Sequence, residues 1–239
     1  MKLSACLHAP WGAQVWPADA LAQPEVGVWP SGHAALDAQL PGGGWPRGAL
    51  CEILQPPGMH AHWQLLLPAV RAQTRAGADT PWVALVGAPH TPYGPALAAQ
   101  GLPPERVLWL RAHTLAERLW TAEQLLLTDA PLFLLLWLTT ETAPGPGADP
   151  AEARSDAVDA NALRRLQRAA GVRPQMLFVL RPLTAARQPS PARVRVAVRW
   201  PTAATVSRCL QLEVLKRRGP PLSRVLELPL DHALDRCAA

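Results

Sequence analysis

Between an apolar stretch, Ala49 to Leu54, and a helix-like stretch that begins at His62, the chain reads Gln55-Pro56-Pro57-Gly58-Met59-His60-Ala61-His62. A strand, a glycine-containing turn and a helix in that order can make a phosphate-binding loop. Backbone N–H groups then cradle the phosphates, a lysine reaches the outer ones and a Ser or Thr holds magnesium. The placement here is right and the chemistry is not. Pro56 and Pro57 bring no N–H donors. His60 stands where a second glycine would, Ala61 where the lysine would, and His62 where the hydroxyl would. A phosphate would meet no fixed ammonium, so the loop predicts a chain with no catalytic residues for nucleotide turnover and no cofactor.

His60 and His62 lie two apart, and His33 and His90 are candidates to join them in the fold. No carboxylate or cysteine completes a ligand set, so they read as fillers of the loop or as surface, and no metal is expected. Cys6, Cys51, Cys209 and Cys237 form no Cys-x-x-Cys pair and read as ordinary thiols of a reducing compartment. Lys216-Arg217-Arg218, ahead of Gly219, offers three cations to a phosphate or an acidic partner; the plainer reading is a charged turn. Among the ten tryptophans, Trp29, Trp45 and Trp63 flank the loop and read as core. Trp11 and Trp16, in an irregular stretch, are candidates for docking onto another protein.

The frame that must hold these residues alternates strands with helices. A short amphipathic piece, Ala34 to Leu40, and a Gly42-Gly43-Gly44 turn precede the strand Ala49 to Leu54. A helix follows from His62 to Ala76, with Pro68 as a kink or restraint. Trp82 to Val86 and Val107 to Leu110 read as strands, and Thr114-Leu115-Ala116-Glu117 as a capping box opening a helix to about Leu127. The unbroken apolar run Pro131 to Leu138 suits a central strand buried on both faces. Residues 143 to 153 read as a loop. The next helix runs to about Ala170, with Val158, Ala162, Leu166 and Ala169 on one face and Arg164, Arg165 and Arg168 away from it. Met176 to Leu180 is another buried strand. In Arg193 to Arg199 valines alternate with arginines, which predicts a strand with one wet face, and Ser207 to Lys216 and Arg224 to Leu228 read similarly. The expected fold class is α/β: a mostly parallel central sheet flanked by helices, with antiparallel strands toward the C-terminal end. Residues 1–27 form an arm, 28–232 the core domain and 233–239 a tail.

With 49% apolar side chains, the 239 residues can bury one sizeable core but hardly two. The net charge of +5 and pI near 9.6 suit an acidic partner such as nucleic acid without naming one. Only 17% of residues are charged and 27 are proline, which predicts stiff loops and surface left for a partner to cover. No apolar run approaches the roughly 20 residues of a membrane span, and the N-terminal stretch has no continuous apolar region of signal-peptide length. A soluble, cytoplasmic protein with no membrane partner is expected.

The text SGHAALDAQLPGGGWPRGALCEI resembles the approach of RecA-family proteins to their nucleotide-binding strand, and ALVGAPHTPYGPALAAQGLPPERVLWLRAHTLAERLWTAEQLL resembles that family's second strand, crossover and following helix. RLQRAAGVRPQMLFVLRPLTAARQPSPARVRVAVRW and LQLEVLKRRGPPLSRVLELPL resemble the ImuA group, RecA-like accessory factors of bacterial translesion DNA synthesis also called SulA-like, so the likeness spans about Val28 to Leu230. The resemblance implies a RecA-like core. It puts Pro89 where the family's catalytic glutamate would stand and Trp137 where an aspartate would support magnesium. It also sets Arg181, Arg187, Arg193 and Arg195 around a loop that in RecA-like proteins contacts DNA, so weak single-stranded DNA binding is a candidate role beside that of a solvated loop. The implied function is a non-enzymatic accessory role in DNA-damage-induced translesion synthesis (SOS mutagenesis). The implied partners are an ImuB-type Y-family polymerase homologue, an error-prone C-family polymerase and RecA. An ATPase with an unorthodox site and a SulA-like inhibitor of cell division stay open as alternatives.

Overall fold

The computed structural model of the protein describes residues 27–75, 81–138, 158–201, 209–222 and 224–230. Most of the expected arm, with Trp11 and Trp16, the loop at 143–153 and the tail at 233–239 lie outside them. In chain order the elements are β1 (Val28–Trp29), α1 (Ala34–Asp37), β2 (Trp45–Pro46), β3 (Ala49–Gln55), α2 (His62–Arg75), β4 (Trp82–Val86), α3 (Gly94–Ala99), β5 (Val107–Leu110), α4 (Leu115–Leu126), β6 (Leu132–Trp137), α5 (Ala160–Val172), β7 (Met176–Pro182), β8 (Val194–Arg199), β9 (Cys209–Lys216) and β10 (Val225–Pro229). Short 3-10 turns occupy Pro104–Arg106 and Leu183–Arg187.

Eight strands form one sheet in the order β10-β9-β8-β3-β7-β6-β4-β5, with β1 and β2 as a separate antiparallel pair. The run from β5 to β8 is parallel throughout, and β9 is antiparallel to both β8 and β10. The architecture is thus α/β with a mostly parallel mixed sheet flanked by helices, as expected. Every residue of β3 and of β6 is buried, because helices cover both faces there. Side chains alternate across the sheet. Cys51, Ile53, Phe133, Leu135 and Phe178 meet α1, α2 and α3 on one side, and Leu50, Leu134, Leu136, Leu177 and Val179 meet α4 and α5 on the other. Phe133 stacks between Trp29 and Phe178, with ring centroids 6.0 Å and 4.9 Å away. Burial pushes the Cys51 thiol far above its usual range, against a weaker opposing pull from Arg193. Among the described residues no helix is long and apolar enough to cross a membrane.

Local chemistry sets the helix ends. Thr114 and Glu117 form the expected capping box: the Glu117 N–H donates to Thr114 Oγ1 at 3.2 Å, and Glu117 Oε2 accepts from the N–H groups of His113 and Thr114 at 2.8 and 3.2 Å. Those donors hold the Glu117 carboxyl below its usual range. Helix α2 runs through Pro68. A proline has no N–H for the carbonyl four residues back, here that of Gln64; His33 Nε2 lies 3.2 Å from this oxygen and donates to it in the Nε2–H tautomer. Gly32 fits beside Pro68 only because it has no side chain: at φ +80, a Cβ would lie 2.4 Å from Pro68 Cβ.

The expected wet face of β8 does not exist. Its burial pattern leaves only Arg199 exposed, because Arg195 turns inward to a buried carboxylate and the segment 183–193 crosses above it. The two strands expected to alternate in the same way do so: in β9 Leu210, Leu212 and Val214 are buried and Glu213 and Leu215 exposed, and in β10 Leu226 and Leu228 are buried and Val225 and Glu227 exposed.

Replacing His33 with Ala should lower unfolding stability by about 1 kcal/mol, the net worth of one hydrogen bond. The loss should shrink in a Pro68→Ala background, where residue 68 can itself donate to the Gln64 carbonyl. Urea unfolding of the four-member cycle measures the coupling, and strictly additive losses would rule out this replacement bond.

Candidate functional site

The loop from Gln55 to His62 joins β3 to α2 at the C-terminal edge of the sheet, where open α/β sheets bind ligands. It folds inward. Gln55, Met59 and Ala61 are buried, and Met59 and Ala61 belong to the core cluster under α2. Gly58 takes a positive φ of 71, and the Met59 N–H donates to the Pro56 carbonyl at 3.2 Å, closing a tight turn. Pro56 and Pro57 bring no N–H donor, and Met59 spends its own on the turn.

The next two expected positions come to the same place. Pro89 and His90 follow β4, Trp137 ends β6, and together with His60, His62, Trp63 and α3 they line one cavity of about 420 Å³. No Lys, Arg, Asp or Glu is among the described residues that line it. The His62 ring packs edge-on against Trp137 at 5.2 Å and tilted against Trp63 at 5.6 Å. Both of its nitrogens are buried without a hydrogen-bond partner. Burial, aided by the nearby His60, pushes its pKa down to about 3, so the ring is neutral. His60 faces His90, with Nε2 atoms 3.1 Å apart. His33, the fourth expected histidine, is elsewhere, on the Gln64 carbonyl. Among the described residues no three His, Cys, Asp or Glu side chains gather into a metal-binding group. The described lining combines aromatic and aliphatic side chains with His60, His62, His90, Gln64, Thr91 and Gln100.

The arginines divide. Arg181 and Arg195 are buried and turned away from solvent, which corrects the expectation that they meet nucleic acid. Both bind Glu52, which is fully buried in β3: Arg181 Nη1 donates to Oε1 at 3.1 Å, Arg195 Nε to Oε2 at 2.6 Å, and Ser190 Oγ to Oε1 at 2.8 Å. Arg195 also donates to the carbonyls of Ala185 and Gln188 at 2.8 and 3.1 Å, and Arg181 to Gln188 Oε1 at 2.5 Å. The physical reason is desolvation: a carboxylate in the middle of a covered sheet must be paired. Arg187 is exposed and Arg193 half-buried. Lys216 donates to the Ser190 carbonyl at 2.8 Å, and partial burial, then Arg195, lower its pKa. Arg217 donates to the carbonyls of Pro220 and Gln39, and Arg218 is half-buried. Glu52 is the charged residue that sequence reasoning passed over. The signal was present, since a Glu inside the apolar text ALCEIL needs a partner.

No protein-family model matches the chain, and no curated protein matches it in sequence.

Glu52→Ala should cost 3–5 kcal/mol, roughly the penalty of leaving buried guanidiniums unpaired; a loss below about 1 kcal/mol in denaturant unfolding would contradict the assignment. A second prediction concerns pH. The folded protein keeps His62 neutral to about pH 3, whereas the unfolded chain takes up that proton near 6.5. Its contribution is therefore complete above pH 6.5 and lost as the pH falls through the window toward 3, by up to roughly 1.4 kcal/mol per pH unit. His62→Phe should flatten stability against pH between 6.5 and 5, and equal slopes for the two proteins would contradict this.

Proposed function

We propose that this chain is a RecA-like accessory protein of DNA-damage-induced translesion synthesis that acts by binding other proteins and does not turn over ATP. One observation carries the second half of that reading. His60 and His62 of the loop 55–62, with Pro89 and Trp137, which the family resemblance sets where fuel chemistry would reside, line a single cavity with no Lys, Arg, Asp or Glu among its described lining residues. Phosphoryl transfer depends on cations and on a group that orients water, and these residues bring no lysine, arginine or carboxylate to supply them. The strand-turn-helix in the interior of a mostly parallel sheet is compatible with a RecA-like core. The finer identity, and the setting among an ImuB-type polymerase homologue, an error-prone C-family polymerase and RecA, rest on the sequence resemblance.

Arg187, Arg193, Lys216, Arg217 and Arg218 are the remaining candidates for weak contact with single-stranded DNA or an acidic partner, and Arg181 and Arg195 are withdrawn because Glu52 holds them.

The test is pairwise calorimetry of the purified full-length chain with each of the three proteins, run beside an ATP-turnover assay. Binding to at least one partner, with turnover at background, is the expected result. Failure to bind any of the three would end the translesion reading, and steady ATP hydrolysis by homogeneous protein would end the non-enzymatic one.

A further inference from the structure

We infer that His60 and His90 form a two-histidine site for a divalent transition metal ion of the copper, nickel and zinc class, at the mouth of the cavity. This goes beyond the proposed function and does not rest on it. The two rings come from different loops, 30 residues apart in sequence, and bring their Nε2 atoms to 3.1 Å. Their centroids are 4.7 Å apart and their planes 75° to one another.

Two explanations of so short an N···N contact make different geometric demands. A straight N–H···N hydrogen bond of that length would hold the centroids roughly 5.4 Å apart, with each ring pointing along the line between the nitrogens. The observed 4.7 Å shows the rings bent away from that straight line, within the range of a bent N–H···N hydrogen bond. Two imidazoles bound to one ion bend in the same way, and at bond lengths of about 2.0–2.1 Å their nitrogens stand roughly 3.0–3.4 Å apart. The 3.1 Å separation falls within that window. Among the described residues no carboxylate or backbone carbonyl engages either Nε2, so nothing else fixes which nitrogen carries a proton.

The ligand chemistry selects the ion. Imidazole nitrogen suits copper, nickel and zinc, whereas magnesium and calcium need oxygen donors, and the cavity wall contains no carboxylate. His90 is exposed and His60 half-buried, so solvent can reach the pair. His62 is not a ligand: its nitrogens are enclosed, and it instead supports the His60 ring from a centroid distance of 6.0 Å at nearly a right angle. A bound ion would add exchangeable coordination positions at the mouth of the cavity, and so would let it hold a donor group of an incoming ligand.

Titration of tag-free full-length protein with Ni2+ and Cu2+ at pH 7.5 tests this, with calorimetry as the readout. One equivalent should bind in the micromolar range, and His60→Ala or His90→Ala should each weaken binding at least about tenfold, as loss of one of two ligands requires. His33→Ala and His113→Ala should leave it unchanged. Affinity should fall as the pH is lowered, because protons compete with the ion for imidazole nitrogen. Electron paramagnetic resonance of the Cu2+-loaded wild type gives a reading that needs no variant: hyperfine splitting from two nitrogens is expected. Splitting from fewer than two, an absence of binding, or binding that survives the His60→Ala/His90→Ala double substitution would each overturn the site.

Discussion

A carboxylate cannot stay charged inside a covered sheet without cations beside it, and the Glu52 carboxylate has two. Glu52 lies on β3, which pairs with β7 on one side and β8 on the other; Arg181 comes from β7 and Arg195, its direct cross-strand neighbour, from β8. Three adjacent parallel strands are therefore tied at one polar point. The segment from Leu183 to Arg193 depends on the same point. Its carbonyls at Ala185 and Gln188 accept from Arg195, so hydrogen bonding holds it over the sheet where α4 and α5 use apolar packing elsewhere. Buried ion clusters of this kind add less to stability than to specificity. A shift of β8 by one residue would turn Arg195 into the apolar core on the opposite face.

The opposite design governs the C-terminal edge. There His60, His62, Pro89 and Trp137 line a cavity with no Lys, Arg, Asp or Glu among its described lining residues, and Ala61 is packed into the core beneath it. His62 shows how far this goes, since its ring is kept uncharged by the tryptophans and the helix that surround it. The molecule thus separates its buried ion cluster, which sits under the 183–193 crossover, from a cavity of aromatic, aliphatic and imidazole side chains at the strand ends.

Much of this fold was legible in local text. The capping box at Thr114 was visible because both partners lie within one turn, and β3, β4, β6 and β7 were visible as short apolar runs between turn residues. The convergence of the loop 55–62, Pro89 and Trp137 was legible only through the family resemblance, since no spacing rule joins residues so far apart. Period-two alternation misled at β8. It registers that Arg195 and Val194 face opposite ways, but a guanidinium meeting a carboxylate and one meeting water leave the same pattern. Glu52 was hidden for the converse reason: one charge among six neighbours did not disturb the apolar reading of its strand. The pairing of His33 with the Gln64 carbonyl needed the tertiary fold, although Pro68 signalled that a helical acceptor would go wanting.

Cys51 is the residue next to Glu52, on the opposite face of β3, and its thiol is closed off from solvent. A thiol reagent can reach that sulfur only when the helices over this face of the sheet lift or the domain unfolds, and only as the small thiolate fraction that then forms. The rate of its alkylation under native conditions is therefore a clock for opening of the α1–α3 side of the core, built into the chain without any label.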